Sequence, residues 1–320
     1  MKYVRLKTND PYYNLAVEEY LLRQSEDDYF MLWQNAPSVI IGKNQNAYTE
    51  VELDYARSAG INVVRRITGG GAVYHDGGNL NFSFITSTAK ADALDFDYFT
   101  RPIISALAEM GLECTLSGRN DLEIGGRKFS GNAQYSDGRR ILHHGTLLFN
   151  TDLDVLEKAL RTDKEKLEFK AVKSHKGRVV NLSELLNEKW TVSDFADRIE
   201  WHLIKKTGVV KVDVPADPAI DELRARNASE EWIYSSRRYL TDYTLCRRKK
   251  YPFGIVEVKL KLSGDVIENA VISGDFFGKE PVGELENKLS GKKTAEISYL
   301  DVSKYVDKMT DKEFWALINL

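Results

Sequence analysis

The chain predicts a mixed α/β protein built in two parts, and three observations carry that reading. Apolar runs with strand and helix periodicity interleave without a regular βαβ alternation. A glycine triplet, Gly69-Gly70-Gly71, separates an apolar stretch (Ile61 to Ile67) from a strongly alternating one (Leu80, Phe82, Phe84). After about residue 245 the texture changes: a basic tetrad, Arg247 to Lys250, is followed by a new set of alternating strands. At 320 residues the chain is comfortable for two domains. We place them at 1–245 and 246–320.

The elements follow in order. Asn14 is a candidate cap for a helix whose apolar face is Ala16, Val17, Tyr20 and Leu21. Tyr29 to Gln34 and Ser38 to Ile41 read as strands on either side of Ala36-Pro37. Phe99, Ile103, Leu107 and Met110 recur at helical spacing, and Gly111 ends that helix. Strands are expected at Glu113 to Leu116, Asp121 to Ile124 and Ile141 to Phe149, then a helix near Asp152 to Leu160. Residues 163–180 are lysine-rich with weak periodicity and read as a surface loop. Thr191 and Asp194 suit a capping box for a helix carrying Phe195, Ile199 and Leu203 and stopping at Gly208. In the second part Val256, Val258, Leu260 and Leu262 alternate with polar residues. Ser263-Gly264-Asp265 turns the chain, Val266 to Ser273 returns, and helices follow at Val282 to Leu289 and near the C-terminus.

Composition excludes several classes. A net charge of −3 gives no basic field for nucleic acid. Two distant cysteines, Cys114 and Cys246, form neither a disulfide framework nor a zinc spacing. The start lacks the apolar run of a signal peptide, and no segment has the length of a membrane span. A cytoplasmic protein is expected. There is no GxGxxG or GxxxxGK[ST] motif.

Several places carry candidate chemistry. Glycines let backbone approach a ligand closely, and Arg65 and Arg66 stand just upstream of the triplet, which suits anion binding as well as a plain hairpin turn. On the following strand Asn79, Asn81 and Ser83 form a polar face that suits either a polar cavity or solvent at a sheet edge. Gly125-Gly126 makes a tight hairpin, and Lys128 follows it with Ser130-Gly131-Asn132. Small neighbours leave room for a ligand, and an ammonium is a compact charge for an acyl-phosphate oxygen. His143 and His144 on a strand face opposite sides and cannot share a metal; one packed and one exposed histidine is expected. The basic tetrad reads as a solvated linker or a phosphate contact, and His75-Asp76 as a turn pair or a catalytic pair. Cys114 has no basic partner nearby in sequence, which gives a thiol nucleophile little support.

These blocks together resemble the lipoate–protein ligase family. The carriers are Arg-Arg-Ile-Thr-Gly-Gly-Gly-Ala-Val-Tyr-His-Asp from Arg65, Gly-Arg-Asn-Asp-Leu from Gly118, Lys-Phe-Ser-Gly-Asn-Ala from Lys128, His-His-Gly-Thr-Leu-Leu from His143, and Arg178-Val179-Val180-Asn181-Leu182. Ile272-Ser273-Gly274-Asp275-Phe276-Phe277 resembles the signature of the family's C-terminal accessory domain. The resemblance runs over essentially the whole chain. It implies a biotin/lipoate ligase-like catalytic domain, with mixed sheets flanked by helices, and a small α/β C-terminal domain.

It also implies a two-step reaction. Lipoate and MgATP give lipoyl-AMP and pyrophosphate; a lysine of a lipoyl-carrier domain then takes the acyl group as an amide. By resemblance Arg66, Gly71, Ala72, Val73, Tyr74, Asp121 and Lys128 serve the nucleotide, with Asp121 toward Mg2+ or the nucleotide itself. Trp33, Gly69, Gly70, Gly71 and Lys128 serve lipoate, though Trp33 reads equally as a core residue. Lys128 is the catalytic candidate. The stretch from Lys170 to Arg178 resembles a loop closing over the adenylate, and the small domain is expected to move between the two steps. No tightly bound prosthetic group is expected, and the Mg2+ ligands stay unassigned. The implied partners are the H protein of glycine cleavage or the acyltransferase subunits of 2-oxoacid dehydrogenases, with no nucleic acid, no membrane and a monomeric enzyme. Rivals are an ATP-independent octanoyl or lipoyl transferase of the same fold, which would need a cysteine nucleophile, a biotin ligase, whose glycine–arginine-rich loop is absent, and a catalytically silent adenylate- or partner-binding module.

Overall fold

The computed structural model describes residues 1–161, 175–297 and 299–319. Its strands are β1 (Lys2–Arg5), β2 (Tyr29–Trp33), β3 (Ser38–Ile41), β4 (Asn62–Arg65), β5 (Val73–His75), β6 (Asn79–Ser87) and β7 (Thr115–Ser117). They continue with β8 (Asp121–Ile124), β9 (Arg127–Ser136), β10 (Arg140–Leu148), β11 (Val210–Lys211), β12 (Leu245–Tyr251), β13 (Gly254–Ser263) and β14 (Val266–Gly274). The chain forms two compact units. The first gathers Met1–Ile40, Val51–Val64 and Val73–Ser229; the second gathers Ile41–Glu50, Arg65–Ala72 and Glu230–Leu320. The units cut across the chain, so the glycine triplet clusters with the C-terminal strands.

The first unit is organised by an eight-stranded mixed sheet in the order β11-β1-β2-β6-β10-β9-β8-β7. β1 runs parallel to both β2 and β11, and the β2–β6, β6–β10, β10–β9, β9–β8 and β8–β7 pairs are antiparallel. On one face Tyr3, Phe30, Leu32, Leu80, Phe82 and Phe84 pack against Phe99, Ile103 and Leu107 of the helix Phe96–Glu109 and Phe195, Ile199 and Leu203 of the helix Val192–Thr207. Each such fully buried side chain contributes roughly 1.5–3 kcal/mol. The capping box at Thr191 and Asp194 forms as expected, and Gly208 closes that helix at φ +63°.

Several expectations are corrected here. The first helix runs Pro11–Gln24 and is capped by Asp10, whose carboxylate accepts from the Tyr12 and Tyr13 amides. Asn14 is instead a buried helical residue whose amide donates to the Thr8 and Gln34 carbonyls and to Asn35. β6 is no edge strand: it lies between β2 and β10, and Asn79, Asn81 and Ser83 are all buried.

In the second unit β12, β13 and β14 form an antiparallel sheet with β12 at its edge. Val256, Val258, Leu260, Ile267 and Ile272 pack with Leu285 and Leu289 of the helix Val282–Leu289 and with Phe314 and Leu317 of the helix Asp311–Ile318. Gly264 supplies the hairpin turn at φ +63°. The basic tetrad Arg247 to Lys250 is not a linker but the body of β12. The strand propensity of its flanks, Leu245 and Tyr251, and pairing with β13 outweigh the charge run.

Candidate active site

Lys128 owes its direction to a turn and a bulge. Gly125 and Gly126 take φ +57° and +73°, the left-handed pair that a tight two-residue hairpin requires, and join β8 to β9. Leu122 pairs Ser130 but Glu123 pairs Lys128, so Phe129 is an extra residue on β9. Such a bulge re-aims the side chain beside it. Lys128 Nζ lies 2.7 Å from Asp121 Oδ1, and each side chain is about a third exposed, at 35% and 33%. The lysine passes over Gly131: a Cβ there would stand 3.0 Å from Nζ and 3.3 Å from Cε. Behind it the Val180 amide donates to the Lys128 carbonyl at 2.9 Å, so the Arg178–Leu182 motif runs along the lysine strand.

Trp33 ends β2 and is buried. Its indole N–H donates to Ser83 Oγ at 2.8 Å, Ser83 donates to the Glu18 carboxylate, and His144 Nδ1 lies 3.2 Å from both Glu18 oxygens. The His75 ring meets the indole edge-on at 6.1 Å. Glu18 was not anticipated from the sequence. The signal was present: it sits one helical turn after Leu15 and one before Leu21 and Leu22, a carboxylate on the buried face of its helix. Val73 and Tyr74 lie on β5, paired with Ile40 and Val39 of β3. Burial pushes the Tyr74 phenol far above its ordinary range, with Asp76 adding to the effect.

Arg66, Gly69, Gly70, Gly71 and Ala72 fall in the second unit. Arg66 braces the glycine loop from inside: its guanidinium donates to Thr68 Oγ1 at 2.8 Å and to the Gly69 and Gly71 carbonyls at 2.7 and 2.8 Å. Gly70 takes φ +90°, and its amide donates to the Phe276 carbonyl at 3.3 Å. A Cβ on Gly69 would come within 2.6 Å of that same carbonyl, so the triplet is fitted to the Asp275-Phe276-Phe277 turn. Arg65 is buried among carbonyls, donating to those of Gly42, Lys43, Gln45, Trp232 and Ile233. Burial lowers its guanidinium to about 10, which leaves it charged at neutral pH.

The remaining candidates resolve as follows. His143 and His144 do face opposite sides of β10, but both are buried, so the expectation of one exposed histidine is corrected. His75 Nδ1 pairs with the Asn35 amide at 3.1 Å, while Asp76 accepts from the Gly78 and Asp152 amides at 2.8 Å each, which makes Asp76 a turn residue. Burial, with Glu113 nearby, pushes the Cys114 thiol up to about 11, unsuited to a nucleophile at neutral pH. The lysine-rich stretch lies outside the described residues through 174, and His175–Arg178 form a short helical turn. Among the described residues no three His, Cys, Asp or Glu side chains converge as a metal cage, and no helix is long and apolar enough to cross a membrane.

The first unit thus carries a bulged lysine strand in its mixed sheet, and the second an arginine-braced glycine triplet. Residues 10–204 match the lipoyl protein ligase A/B catalytic domain, and residues 241–318 match the bacterial lipoate protein ligase C-terminus. The chain is 40% identical to the lipoate-protein ligase LplJ of Bacillus subtilis over 97% of each chain. Its fold is similar to that of P. falciparum LipL1 in complex with lipoate, with TM-score 0.80, 25% identity and 99% of each chain covered. It is also similar to a lipoate-protein ligase A bound with ATP, with TM-score 0.61 and 26% identity over 73% of this chain and 98% of that one. The chain belongs to the lipoate–protein ligase family.

Proposed function

We propose that this chain activates lipoate with MgATP and transfers the lipoyl group to a lysine of a lipoyl-carrier domain, with Lys128 as its catalytic residue. In the first step a lipoate carboxylate oxygen attacks the α-phosphorus of ATP and pyrophosphate leaves. In the second the carrier lysine's amine attacks the acyl carbon, an amide forms and AMP departs. Both steps move negative charge between phosphate and carboxyl oxygens, so they need preorganised positive charge more than a protein nucleophile. The observation that carries the reading is the Lys128 ammonium, partly exposed, aimed by a bulge and held at 2.7 Å by Asp121.

Arg66, Gly71, Ala72, Val73 and Tyr74 are assigned to the nucleotide, and Trp33 with Gly69, Gly70 and Gly71 to the lipoyl chain, where each buried methylene contributes about 0.8 kcal/mol. Mg2+ enters with ATP as co-substrate; it keeps several waters and takes one or two carboxylates plus phosphate oxygens. Asp121 fits that demand, because Lys128 engages Oδ1 and Oδ2 makes no hydrogen bond among the described residues. The functional division at 1–245 and 246–320, a monomeric state, a cytoplasmic location and the choice between an H protein and a dehydrogenase acyltransferase subunit belong to the same proposal.

The test is the intact mass of an apo lipoyl domain incubated with the purified chain, lipoate and MgATP. One lipoyl group added on lysine, only when both small molecules are present, supports the ligase. Modification without ATP from an octanoyl-loaded carrier would move the protein to the transferase class.

A further inference from the structure

A hydrogen-bond chain with one allowed polarity crosses the lysine sheet. The Leu94 amide can only donate, and it donates to Gln134 Oε1 at 2.7 Å. That fixes the Gln134 amide, whose Nε2 lies 3.0 Å from His143 Nδ1. His143 Nδ1 therefore accepts, its proton sits on Nε2, and Nε2 donates to Asn132 Oδ1 at 3.2 Å. The Asn132 amide nitrogen in turn donates to the Asn120 carbonyl at 3.1 Å, while Asn120 Nδ2 donates back to the Asn132 carbonyl at 2.6 Å. Asn120 is the residue before Asp121, and Asn132 follows Gly131 on the strand of Lys128.

The surroundings are built around this arrangement. The His143 ring is fully buried and stacks on Phe99 at 4.9 Å and 12°. A Cβ on Gly145 would collide with Asn132 Oδ1 and the Phe82 ring, so that glycine makes room for the amide. Burial, with His144 next in the chain, holds the His143 imidazole well below its ordinary pKa, in agreement with the neutral ring that the bonding pattern demands.

We propose that His143 is a positioning residue for Lys128: its Nε2–H tautomer locks Asn132, and through Asn132 the Asn120–Asp121 turn that holds the ammonium. The inference rests on the catalytic role proposed for Lys128. Two substitutions at His143 separate positioning from packing. His143→Phe keeps the aromatic stack and loses both hydrogen bonds. His143→Gln keeps one donor and one acceptor and loses the stack. Asn120→Ala, at a partly exposed turn, leaves the carbonyl that Asn132 engages but removes the return bond from Asn120 Nδ2 to the Asn132 carbonyl, so it loosens the turn from outside the core and guards against misfolding of the His143 variants.

The readout is lipoate-dependent ATP–pyrophosphate exchange, with kcat and KM resolved and thermal stability measured beside them. His143→Phe and Asn120→Ala should lower kcat about tenfold or more with KM for ATP and lipoate little changed, because a misplaced charge acts on the transition state. His143→Gln should hold kcat within about threefold although it melts earlier. Two results overturn the role: near-normal kcat in both His143→Phe and Asn120→Ala, or losses that follow melting temperature across the set. Lys128→Ala run in parallel separates the failures. If it exchanges normally, the catalytic reading beneath falls; if it is inactive while the other two are normal, only the positioning role falls.

Discussion

Gly131→Ala perturbs the Lys128 ammonium without touching either charged residue. The added methyl would lie 3.0 Å from Nζ, 3.3 Å from Cε and 4.0 Å from Asp121 Oδ1. What it meets is the far end of a flexible side chain, and Gly131 does not need a positive φ, so the backbone accommodates it. The ammonium must give way by a few tenths of an ångström or swing to another rotamer, which lengthens the 2.7 Å pair with Asp121. That pair is about a third exposed, and such pairs contribute only ~0–1 kcal/mol, so melting should fall by no more than roughly 4 °C. Catalysis is less forgiving, since an ångström of misplacement costs on the order of 100-fold. Exchange should therefore drop roughly 10- to 100-fold in a protein that melts almost normally. Exchange within twofold of the parent would show that the position of Lys128 over Gly131 is not used. A collapse in melting temperature would show that the steric account of this strand is wrong.

Other outcomes follow from the same structure. Gly70→Ala places a methyl 3.1 Å from the Phe277 ring and from Arg66 at φ +90°, and should destabilise by about 1–3 kcal/mol, whereas Gly77→Ala, in open space, should be neutral; equal melting curves for the two would sink the packing account of the triplet. His143 titrates well below its ordinary value when folded but near 6.5 when unfolded. Its contribution is thus intact above about pH 6.5 and is lost, at up to ~1.4 kcal/mol per pH unit, as pH falls from there toward the folded value. His143→Gln should flatten that part of the stability profile between pH 7.5 and 5.5, and an unchanged slope would contradict the buried neutral ring. Cys114→Ser and Cys246→Ser should each keep lipoate transfer, since the Cys114 thiol is pushed up to about 11 and Cys246 is assigned no chemistry; loss of transfer in a still-folded variant would reopen a thiol mechanism.

Much of this was legible in the sequence because local rules agree with the fold. The Thr191 capping box, the Gly125-Gly126 hairpin and the alternation of Leu80, Phe82 and Phe84 are each set by a few neighbouring residues, and each forms as read. The failures come where distant partners decide. Nothing within reach of Asn14 announces that Thr8, Gln34 and Asn35 will claim its amide and leave the cap to Asp10. The polar face of β6 read equally as exposed because only the completed sheet brings Glu18 and His144 over Ser83 and Trp33. One of His143 and His144 was expected to be exposed for the same reason, and both are buried. The basic tetrad read as a linker because periodicity sees charge, whereas an edge strand tolerates exposed charge on both faces. Grouping of the glycine triplet with the Phe276-Phe277 turn spans two hundred residues and has no local signature at all.

The proposed chemistry is the formation of an acyl-adenylate with the Lys128 ammonium stabilising the charge. The most direct measurement is ATP–pyrophosphate exchange with lipoate, comparing the parent chain and Lys128→Ala at matched thermal stability. Exchange should depend on lipoate in the parent and fall to background in the variant. Lipoate-independent or absent exchange in the parent would contradict adenylation, and undiminished exchange in the variant would remove Lys128 from the mechanism.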